Sequence, residues 1–248
     1  MIEKLTTVEE GIKRLFVVGE HEEVPFQYTR TDGKTLFDTV EFNGNTVPLL
    51  KWRYNPRLNS IHDNLVLGTI SKPGDPSTLK SLDFAPRSES MDQLLCREMD
   101  LAEFFLDSKI VSIMGYGIEK AANFIFHMDN GAMVNLEASV TLPADAVREE
   151  KHTLFTANGL VTDLCADKVV VNQQIYVFTD GNNPATYTDH DVNLFGLCLE
   201  DQDIAYACYA LIVGTEDAGR WQKQAEHIEK LAKAALETLR TGKKYICG

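Results

Sequence analysis

A long hairpin pattern between residues 111 and 143 constrains the fold of this chain more than any other feature. Asp129-Asn130-Gly131 carries turn chemistry, because Asn-Gly pairs adopt the positive φ angles of tight hairpin turns. Apolar and polar residues alternate on both sides of this turn, with the period of a half-buried strand. We therefore predict the central pair of an antiparallel sheet. Its apolar face consists of Phe124, Phe126, Met128, Ala132, Val134, Leu136, Ala138 and Val140.

The opposite face of the predicted hairpin is mixed in character. Met133, Asn135, Glu137 and Ser139 alternate with the apolar residues of its second strand. A sheet with helices on one side leaves such a face bare, and polar groups on it can pair across a two-fold axis. We expect this face, extended by alternate residues of 169–178, to join a homo-oligomer, most simply a dimer.

Helical signals lie on both sides of the hairpin. Capping boxes at Thr6-Thr7 and at Ser90 predict helices over 6–18 and from residue 90 onward. The remaining pattern predicts strands within 20–58, 152–160 and 168–178, helices over 60–68, 201–213 and 216–240, and loops over 72–77 and 181–190. Asp32-Gly33, Asn43-Gly44 and Asn158-Gly159 are expected at turns, the last of these at a turn or a bulge.

Taken together, these elements predict an α+β fold. One large, mostly antiparallel open sheet is expected to carry helices on one face. The length of 248 residues suits one large domain or at most two, and we expect a single domain over residues 1–248.

Composition limits the classes of partner. A formal net charge of -13 argues against binding to nucleic acid or to anionic membrane surfaces, which both attract basic proteins. The sequence shows no membrane-spanning run and no signal peptide. Five scattered cysteines without a C-x-x-C pair indicate reduced thiols and a cytoplasmic protein.

Motifs for cofactors and metals are incomplete. Gly115-Tyr116-Gly117 begins like a dinucleotide fingerprint, but Lys120 stands where its third glycine belongs and a strand pattern follows. The six histidines lack the spacing of metal ligands. We therefore expect no cofactor, no metal and no catalytic residue.

Several segments, in order along the chain, resemble the Gfo/Idh/MocA family of sugar and polyol dehydrogenases. They are Ile2 to Glu10, Arg53-Tyr54-Asn55-Pro56, Asp100-Leu101-Ala102, Ala122 to Ala132, Thr156-Ala157-Asn158-Gly159 and Leu236 to Lys243. In that family an N-terminal Rossmann domain binds NAD(P), and a C-terminal domain holds the substrate and makes oligomer contacts. The resemblance covers nearly the whole chain from the junction onward. It implies the C-terminal domain fold without a nucleotide-binding domain.

The resemblance also assigns individual positions. Lys4 matches the lysine that holds the reacting hydroxyl, although Leu5 replaces the proline of the family junction. The family's catalytic histidine falls near Cys96-Arg97-Glu98, where this chain has no histidine. The acidic residue one turn earlier falls near Asp92 or Gln93. A stand-alone dehydrogenase is therefore not expected.

Three functional hypotheses follow from these residues. The leading one is a stand-alone, non-catalytic homologue of a substrate domain that binds a small polar ligand or a protein partner. The alternative is one subunit of a split NAD(P)-dependent oxidoreductase, whose Rossmann domain is on another chain. The third is a truncated remnant of a longer protein.

Four residues are the candidates for a surviving ligand site: Lys4, Arg53, Asp92 and Arg97. Guanidinium groups bind carboxylate or phosphate in a bidentate way, so a pocket of this kind would suit an anionic ligand. The other interpretation is that these arginines form ion pairs with neighbouring carboxylates.

Overall fold

The computed structural model describes residues 4–31, 35–63, 74–163, 175–179, 185–187 and 193–247, without the side chains of 175–179 and 185–187. Its helices are α1 (Val8–Val18), α2 (Pro56–His62), α3 (Met91–Leu106), α4 (Leu199–Ile212) and α5 (Ala218–Thr241), with a 3-10 helix at Lys51–Tyr54. Its strands are β1 (Phe26–Thr29), β2 (Thr39–Phe42), β3 (Asn45–Pro48), β4 (Pro76–Pro86), β5 (Ile110–Ile118), β6 (Ala121–Met128), β7 (Met133–Leu142), β8 (Glu149–Thr156), β9 (Gly159–Thr162), β10 (Ile175–Thr179), β11 (Ala185–Tyr187) and β12 (Tyr245–Ile246).

In its described part, the chain divides into two compact units. The first comprises Met1–Leu58 and Asp189–His227, and the second comprises Asn59–Thr188 and Ile228–Gly248. The prediction of a single domain over the whole chain stays a prediction.

The first unit combines helices with a small antiparallel sheet. Its helix α1 begins at Thr7, whose hydroxyl accepts from the Glu10 amide while the Glu10 carboxylate accepts from the Thr7 amide, as the capping box predicts. Strands β1, β2 and β3 pair in order, and Asn43-Gly44 forms the predicted hairpin turn with φ angles of 49° and 76°. Helix α4 packs on α1 and on the 3-10 helix.

The second unit is built on a large sheet. Within the described residues, nine strands follow the order β11-β10-β9-β8-β4-β7-β6-β5-β12, and all pairs except β4–β7 are antiparallel. The hairpin of β6 and β7 turns at 129–131 as predicted, and 157–158 form a turn between β8 and β9. The predicted α+β class with a mostly antiparallel sheet is confirmed.

Helices cover one face of this sheet. Helix α3 starts at Ser90 through the predicted capping box with Gln93, and it packs on β4 and β7. Gly115 lies against Thr238 and Leu239 of α5 and against the ring of Phe124, so α5 reaches the same face. The apolar residues predicted for this face are buried: Phe124, Phe126, Met128, Ala132, Val134, Leu136, Ala138 and Val140.

The prediction of the sheet centre is wrong in one respect. The hairpin of β6 and β7 is not the central pair, because β4 lies in the middle of the order between β7 and β8. No strand was predicted at 78–86, and Pro76 and Ser77, expected in a loop, begin β4. The strand signal is weak because the inward positions Ser81 and Asp83 are polar.

Other boundaries differ from the prediction by small amounts. The short helix expected over 60–68 is α2, which begins earlier, at Pro56. Residues 185–187 form β11 within the loop expected over 181–190. Asp32-Gly33, residues 64–73 and residues 168–174 lie outside the described residues. In the described part of the chain, no helix combines the length and the apolar character that crossing a membrane requires.

Candidate functional site

The helix-covered face of the large sheet becomes polar at one end. On β4, Ser81 and Asp83 lie opposite His152 and Glu150 of β8 in the strand register. Helix α3 adds Arg97 and Glu98 from above. We use the name buried charge cluster for the connected set Ser81, Asp83, Glu89, Arg97, Glu98, Arg148, Glu150, His152 and Asp163.

Arg97 lies among three carboxylates. Its Nη1 donates to Glu98 Oε1 at 2.7 Å and to Asp83 Oδ2 at 3.3 Å. Its Nη2 forms an ion pair with Glu150. The Arg97 side chain keeps 12% of its surface exposed, so it lies near the solvent edge of the cluster.

Asp83 is the most enclosed carboxylate that pairs with arginine. It is fully buried, and its Oδ2 also accepts a hydrogen bond from Nη1 of Arg148. Nη2 of Arg148 forms an ion pair with Glu89. Its second oxygen, Oδ1, is buried without a hydrogen-bond partner among the described residues. Burial raises the pKa of Asp83 to about 7, although the charge of Arg148 opposes the rise.

His152 lies between two carboxylates. Its Nε2 is 3.2 Å from Glu98 Oε2, and its Nδ1 is 3.0 Å from Asp163 Oδ2. Burial lowers the pKa of His152, but the charges of Glu98 and Asp163 outweigh burial and raise it to about 10. Two carboxylate partners also require both ring nitrogens to donate. His152 is therefore an imidazolium at neutral pH.

Glu98 joins the two halves of the cluster. Its Oε2 accepts from Ser81 Oγ and faces His152, while its Oε1 accepts from Arg97. Burial would raise the pKa of Glu98, but the charge of His152 holds it well below its usual value. Such a carboxylate stays ionised over the physiological pH range.

The predicted ligand-site residues fall into different places. Lys4, which is exposed, and Arg53 belong to the first unit, while Asp92 and Arg97 belong to the second. Burial raises the pKa of Asp92, and the charges near it are Lys233 and Glu229 of α5 and Glu119. In the described part of the chain, Arg97 pairs instead with Asp83, Glu98 and Glu150. A ligand site formed by these four residues stays a prediction.

The open face of the sheet carries the predicted interface residues. Met133 and Asn135 are half-buried, Glu137 is exposed, and Ser139 is 9% exposed with its hydroxyl 2.7 Å from that of Thr141. On neighbouring strands, Lys80, Asn123, His127 and Lys151 are exposed on the same face. The residues expected to extend the face lie outside the described residues at 169–174 and have no described side chains at 175–178.

Sequence reasoning did not find the buried charge cluster. Partners within the cluster can be far apart in sequence: Ser81 and Glu98 are separated by 17 residues, and Asp83 and Arg148 by 65. The sequence does contain a signal in β4 and β8. Ser81, Asp83 and His152 occupy the alternate strand positions that face the same side of the sheet as the apolar residues Leu79 and Leu154. Polar residues at inward strand positions require partners, because an unpaired buried polar group is costly.

The structure resembles solved oxidoreductases. Myo-inositol dehydrogenase from Corynebacterium glutamicum matches with 15% identity and a TM-score of 0.55, covering 80% of this chain and 63% of that chain. Aldose-aldose oxidoreductase from Caulobacter crescentus, crystallised with glycerol, matches with 10% identity and a TM-score of 0.58, over 79% and 62%. An oxidoreductase domain protein from Kribbella flavida matches with 9% identity and a TM-score of 0.62, over 80% and 64%.

These similarities confirm the fold predicted from the Gfo/Idh/MocA resemblance, that of the oxidoreductase C-terminal domain. The chain spans less than two thirds of the length of each of these three proteins. No protein-family model matches the sequence, and no curated protein matches it.

Proposed function

We propose that this chain is a non-catalytic homologue of the substrate domain of sugar and polyol dehydrogenases, which acts by binding. One observation carries the proposal. In the segment Cys96-Arg97-Glu98, where the resemblance places the family's catalytic histidine, Cys96 and Glu98 are buried, and Arg97 and Glu98 form ion pairs within the buried charge cluster.

None of the three residues in this segment is suited to proton transfer near neutral pH. An efficient general acid or base has a pKa close to the working pH. Burial raises the pKa of Cys96 to about 12, and Glu98 is held ionised by His152. Arg97 remains protonated because guanidinium does not release its proton in proteins. Hydride transfer from a hydroxyl needs a base for the hydroxyl proton, and this segment supplies none.

The open sheet face is the binding surface in this proposal. Its half-buried apolar Met133 lies between polar neighbours, and its charges are of both signs, including Glu137 and Lys80. A mixed composition of this kind is typical of the interfaces of non-obligate complexes. A second copy of the chain is the proposed occupant, in line with closed two-fold symmetry.

Lys4 supports a second candidate function. It matches the family lysine that holds the reacting hydroxyl, and its side chain is exposed. An ammonium group can orient a substrate oxygen without accepting a hydride. A subunit of a split oxidoreductase would use Lys4 in this way beside the nucleotide domain of another chain.

Two measurements test the proposal on the purified chain. The first is calorimetry with NAD and with NADP, for which we expect no binding at micromolar concentrations. The second is absorbance at the nicotinamide wavelength during incubation with a panel of aldoses, polyols and inositols, for which we expect no change. Turnover of any of these by the chain alone would contradict the proposal. Turnover that requires an added NAD-binding partner protein would support the split oxidoreductase instead.

A further inference from the structure

The sequence contains three Asn-Gly pairs: Asn43-Gly44, Asn130-Gly131 and Asn158-Gly159. An asparagine followed by glycine can lose its side-chain nitrogen in water. The main-chain nitrogen of the glycine attacks Cγ of the asparagine, a five-membered succinimide forms, and the side-chain nitrogen leaves as ammonia with the glycine amide proton. Water then opens the ring to aspartate or isoaspartate. Glycine has no Cβ to obstruct the attack, so the fold decides which of the three pairs reacts.

Asn130-Gly131 is held by hydrogen bonds at each group that has to move in this reaction. Asn130 Nδ2 donates to the Leu106 carbonyl at 3.2 Å, and Asn130 Oδ1 accepts from the Ala132 amide at 3.0 Å. The Gly131 amide donates to the Met128 carbonyl at 3.1 Å. These bonds must break before the glycine nitrogen can attack, so this pair reacts only after local opening of the hairpin.

Asn158-Gly159 is restrained at its glycine. Gly159 is the first residue of β9, where it pairs with Thr156 of β8 and with Thr179 of β10. Its carbonyl also accepts from the Thr156 hydroxyl at 3.0 Å. The attacking nitrogen therefore belongs to a strand that is paired on both sides. It can approach the asparagine side chain only if the end of β9 leaves the sheet.

Asn43-Gly44 lacks these restraints. The two residues are the whole loop between β2 and β3, because Phe42 and Asn45 form the closing pair of the hairpin. Both loop residues are exposed, and a Cβ built on Gly44 would meet no atom within 4 Å. In the described part of the chain, neither the Asn43 side chain nor the Gly44 amide has a hydrogen-bond partner. The Asn43 carbonyl accepts from Asn45 Nδ2 at 3.4 Å, which is longer than the usual range of about 2.7–3.2 Å.

We propose that Asn43 is a site of spontaneous chemical modification, at which the Gly44 nitrogen displaces ammonia and water converts the succinimide to aspartate and isoaspartate. Isoaspartate carries the main chain through the side-chain carbon, so it adds one methylene to a loop of two residues. The closing pair of the hairpin then loses its register, which the loop length sets. The hairpin carries the buried side chains of Val40 and Val47, so the modification should destabilise the first unit. This site does not depend on the proposed function.

Peptide mapping by mass spectrometry tests the site. The natural chain is incubated at pH 8 and 37 °C, and trypsin then separates the three Asn-Gly pairs into different peptides. We expect the peptide that contains residue 43 to gain the mass of an amide-to-acid conversion at least tenfold faster than the other two, with isoaspartate as well as aspartate in the product. In a urea concentration that unfolds the chain, all three pairs should convert at similar rates, because the hydrogen bonds of the other two are then absent.

Asn43→Gly removes the reacting side chain but keeps a residue that adopts the positive φ of the turn, so this variant should fold and should not be modified at the turn. Asn158→Gly is the matched control and should leave the conversion rate at residue 43 unchanged. Equal rates for the three peptides of the folded chain would overturn the proposal, as would faster conversion at residue 130 or 158, or no conversion at residue 43. The same ranking in urea as in the folded chain would also overturn it, because the difference would then come from sequence neighbours and not from the fold.

Discussion

His152 and Asp163 are joined by three polar contacts that connect β8 to the end of β9. The His152 amide donates to Asp163 Oδ1, the Asp163 amide donates to the His152 carbonyl at 3.1 Å, and the ring Nδ1 lies 3.0 Å from Asp163 Oδ2. Both residues are buried. The ring charge is therefore held in place by backbone geometry as well as by its carboxylate partners.

His152→Gln is expected to destabilise the protein in a pH-dependent way. At pH 6 the loss should be about 3–5 kcal/mol, because the change removes the imidazolium that pairs with the buried carboxylates Glu98 and Asp163. The pKa of His152 rises from 6.5 to about 10 on folding. Its stabilisation is thus complete below about pH 6.5 and is lost as the pH rises through about 10. Urea unfolding at several pH values measures the loss of stability and shows whether that loss becomes smaller as the pH rises.

The control for this variant is His127→Gln. His127 is exposed on the open face of the same sheet, so its change should cost no more than about 0.5 kcal/mol. A loss in His152→Gln that is the same at pH 6 and pH 10 would show that the ring contributes packing, such as its edge contact with Phe105, and not charge.

The elements that were predicted from sequence depend on local chemistry. Thr7 with Glu10, Ser90 with Gln93 and the turn ending at Gly131 each specify structure through residues two to four positions apart. Such signals can be read from a single sequence because their partners lie in the same short window. The hairpin and the starts of α1 and α3 were predicted for this reason.

The buried charge cluster and β4 could not be predicted in the same way. The apolar alternation of β4 is interrupted by the polar residues Ser81 and Asp83 at inward positions. These two positions are recognised as buried only when their partners Arg97, Glu98, Arg148 and His152 are known. Those partners come from α3, β8 and the loop before β8, and only the fold brings them together. The sequence left open whether Arg97 lines a ligand pocket or pairs with neighbouring carboxylates, and the structure gives it three carboxylate partners.

Gly196→Ala tests how the segment at Lys4 is held. Gly196 has a φ of 105°, and an added Cβ would lie 2.5 Å from Lys4 Cγ and 2.6 Å from the Leu5 carbonyl oxygen. The main chain at Gly196 or at Leu5 must then shift, and this shift strains the hydrogen bond that the Leu5 amide donates to the Phe195 carbonyl. We expect a loss of about 2–3 kcal/mol in urea unfolding.

Gly214→Ala provides the comparison for Gly196→Ala. Gly214 also has a positive φ, of 78°, but an added Cβ meets no atom within 4 Å. Its substitution should cost only the conformational penalty, about 1 kcal/mol. An equal decrease in the free energy of unfolding in the two variants would mean that the main chain around Lys4 and Leu5 accommodates the added Cβ without an energetic penalty.

Lys51→Met tests the ion pairs of the first unit. Lys51 Nζ lies 2.8 Å from Asp38 Oδ2 and 2.8 Å from Glu200 Oε1, and Asp38 is 2% exposed. Removing the ammonium leaves the buried carboxylate of Asp38 without its cation, so we expect a loss of about 3 kcal/mol in urea unfolding. Lys13→Met breaks the exposed pair with Glu23, where the atoms are 3.7 Å apart, and should cost no more than about 1 kcal/mol.

The open sheet face is expected to join two copies of the chain, and Met133→Asp should separate them. Light scattering at low micromolar concentration should give twice the chain mass of 27.8 kDa for the natural chain. Because each chain carries a net charge of -13, the contact must bury more than about 1,000 Å² in total to offset the repulsion. An aspartate at the half-buried Met133 adds an unpaired charge, which is costly to desolvate, so the variant should be a monomer. Val17→Asp, at a side chain that is 70% exposed on α1, is the control and should keep the mass of the natural chain. A natural chain that scatters as a 27.8 kDa monomer would refute the dimer and leave this face to a different protein or to a small ligand.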